Sequence, residues 1–136
     1  MTRQDLLHHI QSVVADLAAQ LGVGYHQDRE SPIRDSMLPA VNLRRGSDMG
    51  REGDHYPSTG RTLALLLDVF AVGEQRQERL DSIETTLRHH LQQLASRSEA
   101  IDALRIDINW DVDELALPFM AARLHLTVDY WEGEAW

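Results

Sequence analysis

Residues 104–112 read LRIDINWDV and residues 119–130 read FMAARLHLTVDY. In the first stretch Leu104, Ile106, Ile108, Trp110 and Val112 alternate with Arg105, Asp107, Asn109 and Asp111. In the second, Met120, Ala122, Leu124, Leu126, Val128 and Tyr130 alternate with Arg123, His125, Thr127 and Asp129. A period of two places successive side chains on opposite faces of a strand, so each stretch predicts a strand with one apolar face. The turn signals near Glu114–Pro118 join them as a hairpin. Keeping both apolar faces on one side requires partner numbers to sum to an even value, about 230 or 232 for a turn of this length. Asp107 then faces Arg123 or His125.

Outward from the hairpin, Gln75–Ala95 carries Leu80, Ile83, Leu87, Leu91 and Leu94 on one helical stripe, which predicts an amphipathic helix packed on one side. Glu99–Leu104 reads as one further turn. Before that helix, Arg61–Val72 is a strand, with Leu63, Leu65, Leu67 and Val69 on one face and Leu66, Phe70 and Val72 on the other. Apolar residues on both faces fit a central strand covered twice or a strand at an interface. Gly46–Gly60 (GSDMGREGDHYPSTG) is predicted to be a long mobile loop, a length that in compact domains tends to be functional or disordered. Pro39–Arg45 alternates Val41 and Leu43 with Asn42 and Arg44 as a half-buried strand, and Asp28–Leu38 reads as a connection.

At the N-terminal side, Leu6, Leu7, Ile10, Val13, Val14, Leu17, Ala18 and Leu21 form the apolar stripe of a helix over Arg3–Leu21. Thr2 with Asp5 makes a capping box, Gly22 or Gly24 supplies the C-terminal cap, and Val23–Gln27 is a short strand. The order α-β-β-β-α-β-β predicts an α+β fold: a mainly antiparallel sheet with two principal helices packed on one face, forming a single domain over 1–136 with a flexible loop at 46–60.

The chain has 136 residues, 43% of them apolar and 26% charged, with a net charge of −9 and no cysteine. One core of this size suits one domain. Without cysteine there are no disulfides, thiolate zinc sites, iron–sulfur clusters or cysteine nucleophiles. No apolar run reaches the roughly 18 residues of a membrane span, and residues 1–5 lack the pattern of a signal peptide, so a cytoplasmic protein without membrane contact is expected. The acidic balance opposes general attraction to nucleic acid, and all 13 basic residues are Arg.

Candidate chemistry is thin. Asp107, Asn109, Asp111 and Asp113 have the spacing that begins a calcium loop, but Val112 takes the glycine position and Pro118 the glutamate position. His8-His9 and His89-His90 are adjacent on helices and point about 100° apart, so neither pair converges on a metal. Gly22–Gly24 follows a helix rather than a strand and is no dinucleotide fingerprint. His125 beside Asp107 lacks a nucleophile and an orienting group. The expectation is a non-enzymatic protein with no cofactor and no metal. A small metal-dependent hydrolase using Asp107, Asp111 and His125, and a generic ligand-binding domain, are the readings from other classes. Trp131 and Trp136, in the sequence WEGEAW, suit a partner anchor or a frayed end. Arg44, Arg45 and Arg51, offset by Asp48, Glu52 and Asp54, make a mixed-charge segment suited to a protein partner.

Across nearly the whole chain, the order and character of these segments resemble the tail terminator proteins of long-tailed bacteriophages, the family of the lambda minor tail protein U. The features that carry the resemblance are the N-terminal helix, Leu38-Pro39-Ala40-Val41, the glycine-rich acidic loop, the strand Arg61–Val72, the helix Gln75–Ala95, the acidic strand around Asp107–Asp113, and Leu126-Thr127-Val128-Asp129-Tyr130. Residues Asp28–Met37 and Trp131–Trp136 depart from the family pattern. The resemblance implies a virion subunit, assembled in the host cytoplasm, that forms a homo-hexameric ring on the finished tail tube. Such a ring stops polymerisation and presents the surface to which the head joins. Its partners would be the tube protein and a head-completion protein, with no sequence-specific nucleic-acid binding. A head-completion or connector adaptor is the alternative. The interface residues expected on this basis are Arg44, Arg45, Asp48, Arg51, Asp54 and Tyr56, ordering against the tube or a neighbouring subunit.

Overall fold

A computed structural model describes residues 2–29, 39–50, 59–111 and 119–132. The elements are α1 (Arg3–Leu21), β1 (Gly24–Gln27), β2 (Ala40–Gly50), β3 (Thr59–Val72), α2 (Arg76–Arg97), β4 (Ile101–Asp111) and β5 (Phe119–Glu132). They form an α+β fold in which one five-stranded sheet, ordered β1-β2-β3-β5-β4, carries both helices on one face. Only the β1–β2 pairing is parallel.

Local chemistry accounts for the ends of α1. The Thr2 hydroxyl accepts from the Asp5 amide while the Asp5 carboxylate accepts from the Thr2 amide, so two otherwise orphaned donors are satisfied. Gly22, at φ 69°, adopts the left-handed conformation that ends the helix. The stripe Leu6, Leu7, Ile10, Val14, Leu17 and Ala18 is buried. From α2 the buried stripe is Leu80, Ile83, Leu87 and Leu91. Both meet the inward residues of the sheet: Val41 and Leu43 on β2, Leu63, Leu65, Leu67 and Val69 on β3, and Ala122, Leu124, Leu126 and Val128 on β5.

The hairpin of β4 and β5 takes the second of the two registers anticipated, with Asp107 opposite His125 and Asn109 opposite Arg123. Three boundaries differ from the sequence reading. β4 begins at Ile101 rather than Leu104, because a register shift between Ile101 and Ala103 lets the strand absorb the expected turn. β2 continues through Gly50 instead of ending at Arg45, and β3 starts at Thr59 instead of Arg61. Gly46–Gly50 and Thr59–Gly60, expected within the long loop, therefore belong to strands; the rest of that loop, 51–58, lies outside the described residues.

A β-bulge permits the extension of β2. Arg45 pairs with Leu65 and Ser47 with Ala64, so Gly46 is the extra residue. An extra residue reverses the alternation beyond it, so Asp48 rather than Ser47 points to the helix-covered side, opposite Leu63. Only glycine fits there, because a Cβ on Gly46 would lie 2.9 Å from the Ala64 carbonyl oxygen. Gly46→Ala is expected to lower stability by about 1–3 kcal/mol through displacement of that backbone. Urea unfolding checks this, and a loss under about 0.5 kcal/mol, the range of an ordinary surface change, would contradict it.

Candidate assembly interface

The bulge sets where the expected interface residues go. Arg44, Arg45 and Asp48 all lie on β2, yet they do not converge. Asp48 sits under the end of α1, its side chain only 9% exposed, and binds Arg3 Nε (2.6 Å), Arg61 Nε (2.6 Å) and the Tyr130 hydroxyl (2.7 Å). That one carboxylate joins the first residue of α1 to β2, β3 and β5. Burial works to raise its pKa, but the hydrogen bonds from Tyr130, Arg3 and Arg61 together outweigh burial and hold it below the ordinary value. Tyr130 is fully buried, and burial followed by its bond to Asp48 pushes its phenol up to about 12.

Arg45 is exposed at the edge of the sheet, its Nε 3.6 Å from Asp28. The Asp28 carboxylate also accepts from the Arg45 amide at 3.1 Å, capping part of the β2 edge that β1 leaves uncovered. Asp28 itself adopts φ 49° just after β1, and the next residue, Arg29, exchanges backbone hydrogen bonds with the Asn42 side chain. Arg44 points to the other side of the sheet. Arg51, Asp54 and Tyr56 lie outside the described residues.

Among the described residues no helix covers the side to which Arg44 points. Its centre is an ion triad that the sequence reading missed. Asp68 on β3, 8% exposed, accepts from Arg123 Nε on β5 at 2.6 Å and pairs with the Arg44 guanidinium at 2.9 Å. Two guanidinium groups thus share one carboxylate. The register explains the grouping: Asp68 is directly opposite Arg123, and Arg44 is one step along the same face from Asn42, the other partner of Asp68.

Around the triad the second face of β3 contributes Ala64, Leu66 and Phe70, all half-buried, and no described helix packs on them. A depression of about 460 Å³ lies between Asp68, Phe70, Asn109, Ala121, Arg123 and His125. There the Asn109 amide meets His125 Nε2 at 3.1 Å. Asp107 lies beside Arg105 at 3.3 Å, with both side chains exposed, and Arg123 is directed to Asp68 instead. Among the described residues no three His, Asp or Glu side chains converge to hold a metal ion. No described helix is long and apolar enough to cross a membrane. Among the described residues this face sets no nucleophile beside a base. The arrangement offers a flat, partly apolar face with a charged centre, the chemistry of a protein–protein contact.

No protein-family model and no curated protein matches the sequence. Among solved structures, the chain is similar in fold to a chain of a structure described as "Virion of native gene transfer agent (GTA) particle". The TM-score is 0.55 at 12% identity, and the match covers 89% of this chain and 93% of that one.

The raised pKa of Tyr130 has a consequence for stability at alkaline pH. A phenol near pH 10 in the unfolded chain and near 12 in the fold contributes stability that is complete below pH 10 and lost as pH rises from 10 to 12. Ultraviolet titration should show one tyrosine ionising near pH 12, with that late step absent in Tyr130→Phe. Completion of all tyrosine ionisation by about pH 11 in the folded protein would contradict the buried hydrogen bond to Asp48.

Proposed function

We propose that this chain is a non-enzymatic structural subunit of a phage-like particle, and that within it the chain acts as a tail terminator. In this reading copies form a ring on the end of a tail tube, halt its polymerisation and present the surface for head joining. The observation that carries the proposal is the fold likeness to a chain of a virion particle, which covers 89% of this chain and 93% of that one. Fold likeness by itself permits many functions. The absence of a catalytic constellation among the described residues and the uncovered, partly apolar sheet face both favour an assembly role.

Closed rings need two different patches on each subunit. The open sheet face, with Leu66 and Phe70 around the Arg44–Asp68–Arg123 triad, supplies one. The edge of β2, where Arg45 stands exposed before the segment that carries Arg51, Asp54 and Tyr56, is proposed to meet the tube or an adjacent subunit. Assembly on the tube fits partners in the order tube protein, this ring, then a head-completion protein, with the finished complex in the virion tail.

The experiment removes the gene from the element that encodes it and images the induced particles by negative-stain electron microscopy. A terminator predicts overlong, uneven, headless tails; headless tails of normal length would mean a head-side adaptor; intact particles would overturn the virion reading. In complementation, Arg45→Glu/Arg51→Glu is expected to fold normally and fail to cap. Uniform capped tails with that variant would remove this segment from the interface.

A further inference from the structure

A groove of about 850 Å³ lies between α1 and α2, on the helix side of the sheet. Its floor is apolar, made by Val13, Leu94 and Ile101 over the fully buried Leu6, while His9, His90, Gln93, Arg97 and Glu99 stand at its rim. Arg97 is exposed and makes no ion pair among the described residues. An apolar floor with hydrogen-bond donors on its rim suits an extended peptide that carries one large apolar side chain and a carboxylate.

The chain itself brings such a peptide to the groove. At the end of β5 the Trp131 amide donates to the Ala100 carbonyl at 3.0 Å, and Ala100 and Ile101 form the wall of the groove. The next residues after Glu132 are Gly133, Glu134, Ala135 and Trp136. Four residues in extended conformation reach about 13 Å, enough to run along a groove whose wall is the hydrogen-bonded neighbour of their starting point.

We propose that Gly133–Trp136 docks in this groove of its own chain, with the Trp136 indole on the Val13, Leu94 and Ile101 floor and the Glu134 carboxylate toward Arg97. The indole is the only large apolar group in the segment and the floor is the large apolar surface within its reach. Glu134 supplies the anion that Arg97 lacks. Docking closes the helix side of the subunit and leaves the open sheet face for contact between copies. The inference does not depend on the virion reading, since it concerns the single chain in solution.

The test uses the full chain with Trp110→Phe and Trp131→Phe, which leaves Trp136 as the one indole. The docked segment predicts blue-shifted emission relative to free tryptophan and several-fold slower quenching by acrylamide. Val13→Glu, in the floor, and Arg97→Glu, at the rim, should each move both readings toward free tryptophan. Circular dichroism verifies folding, and the exposed Arg97 variant carries the test if Val13→Glu does not fold. Emission and quenching of a fully solvated indole would overturn the proposal, as would values that neither substitution changes. Protection that appears only as protein concentration rises would place the segment on a second copy and equally overturn docking within the chain.

Discussion

The carboxylate of Asp48 ties four elements of the chain together. Its partners come from the first residue of α1, from β3 and from β5, and Asp48 itself from β2. Removing a carboxylate from water is costly unless it is fully hydrogen-bonded, and two guanidinium donors and a phenol meet that requirement. The arrangement depends on one backbone event, the extra residue at Gly46, which turns Asp48 inward. A regular β2 would send Asp48 to the open face and take this carboxylate away from Arg61, Arg3 and the buried Tyr130 hydroxyl. Much of the geometry at this end of the sheet therefore follows from a glycine whose hydrogen leaves room for the Ala64 carbonyl.

A second consequence concerns the two faces of the sheet. With α1 and α2 both on one side, the strands separate their residues into an inner set that is almost wholly buried and an outer set in which Asn42 and Asp68 are buried while Arg44, Ala64, Leu66 and Phe70 are half-buried. An antiparallel sheet can leave one face in water, but such a face is ordinarily polar. Here β3 places Leu66 and Phe70 there and sets an Arg–Asp–Arg triad among them. Charged groups in that setting contribute more to the orientation and choice of a partner than to net stability. An apolar surface with a defined charge pattern is what a subunit contact uses.

Much of the fold was legible because it rests on periodicity. The strands β4 and β5 alternate without interruption, and matching their apolar faces narrowed the register to two choices, of which the structure takes one. Both helices and the capping box of Thr2 and Asp5 follow from local patterns. The extension of β2 was not legible, since Gly46, Ser47, Asp48 and Gly50 are the residues of a turn, and a bulge is fixed by its partner strand rather than by its own sequence. The burial of Asp48 was hidden for the same reason. The Arg44–Asp68–Arg123 triad joins three strands, with Asp68 and Arg123 separated by 55 positions, and only a known sheet order brings them together. The one available signal was an aspartate inside the most apolar strand, since a charge in that position needs a partner.

In the proposed assembly, neighbouring copies cover the open face of the sheet. Because the chain contains no cysteine, Leu66→Cys gives a single thiol at the middle of that face. The decisive measurement is its rate of alkylation in the free protein and in purified particles. The account predicts ready modification of the free subunit and strong protection in the particle. Equal rates in both states, in particles that contain the subunit, would contradict it.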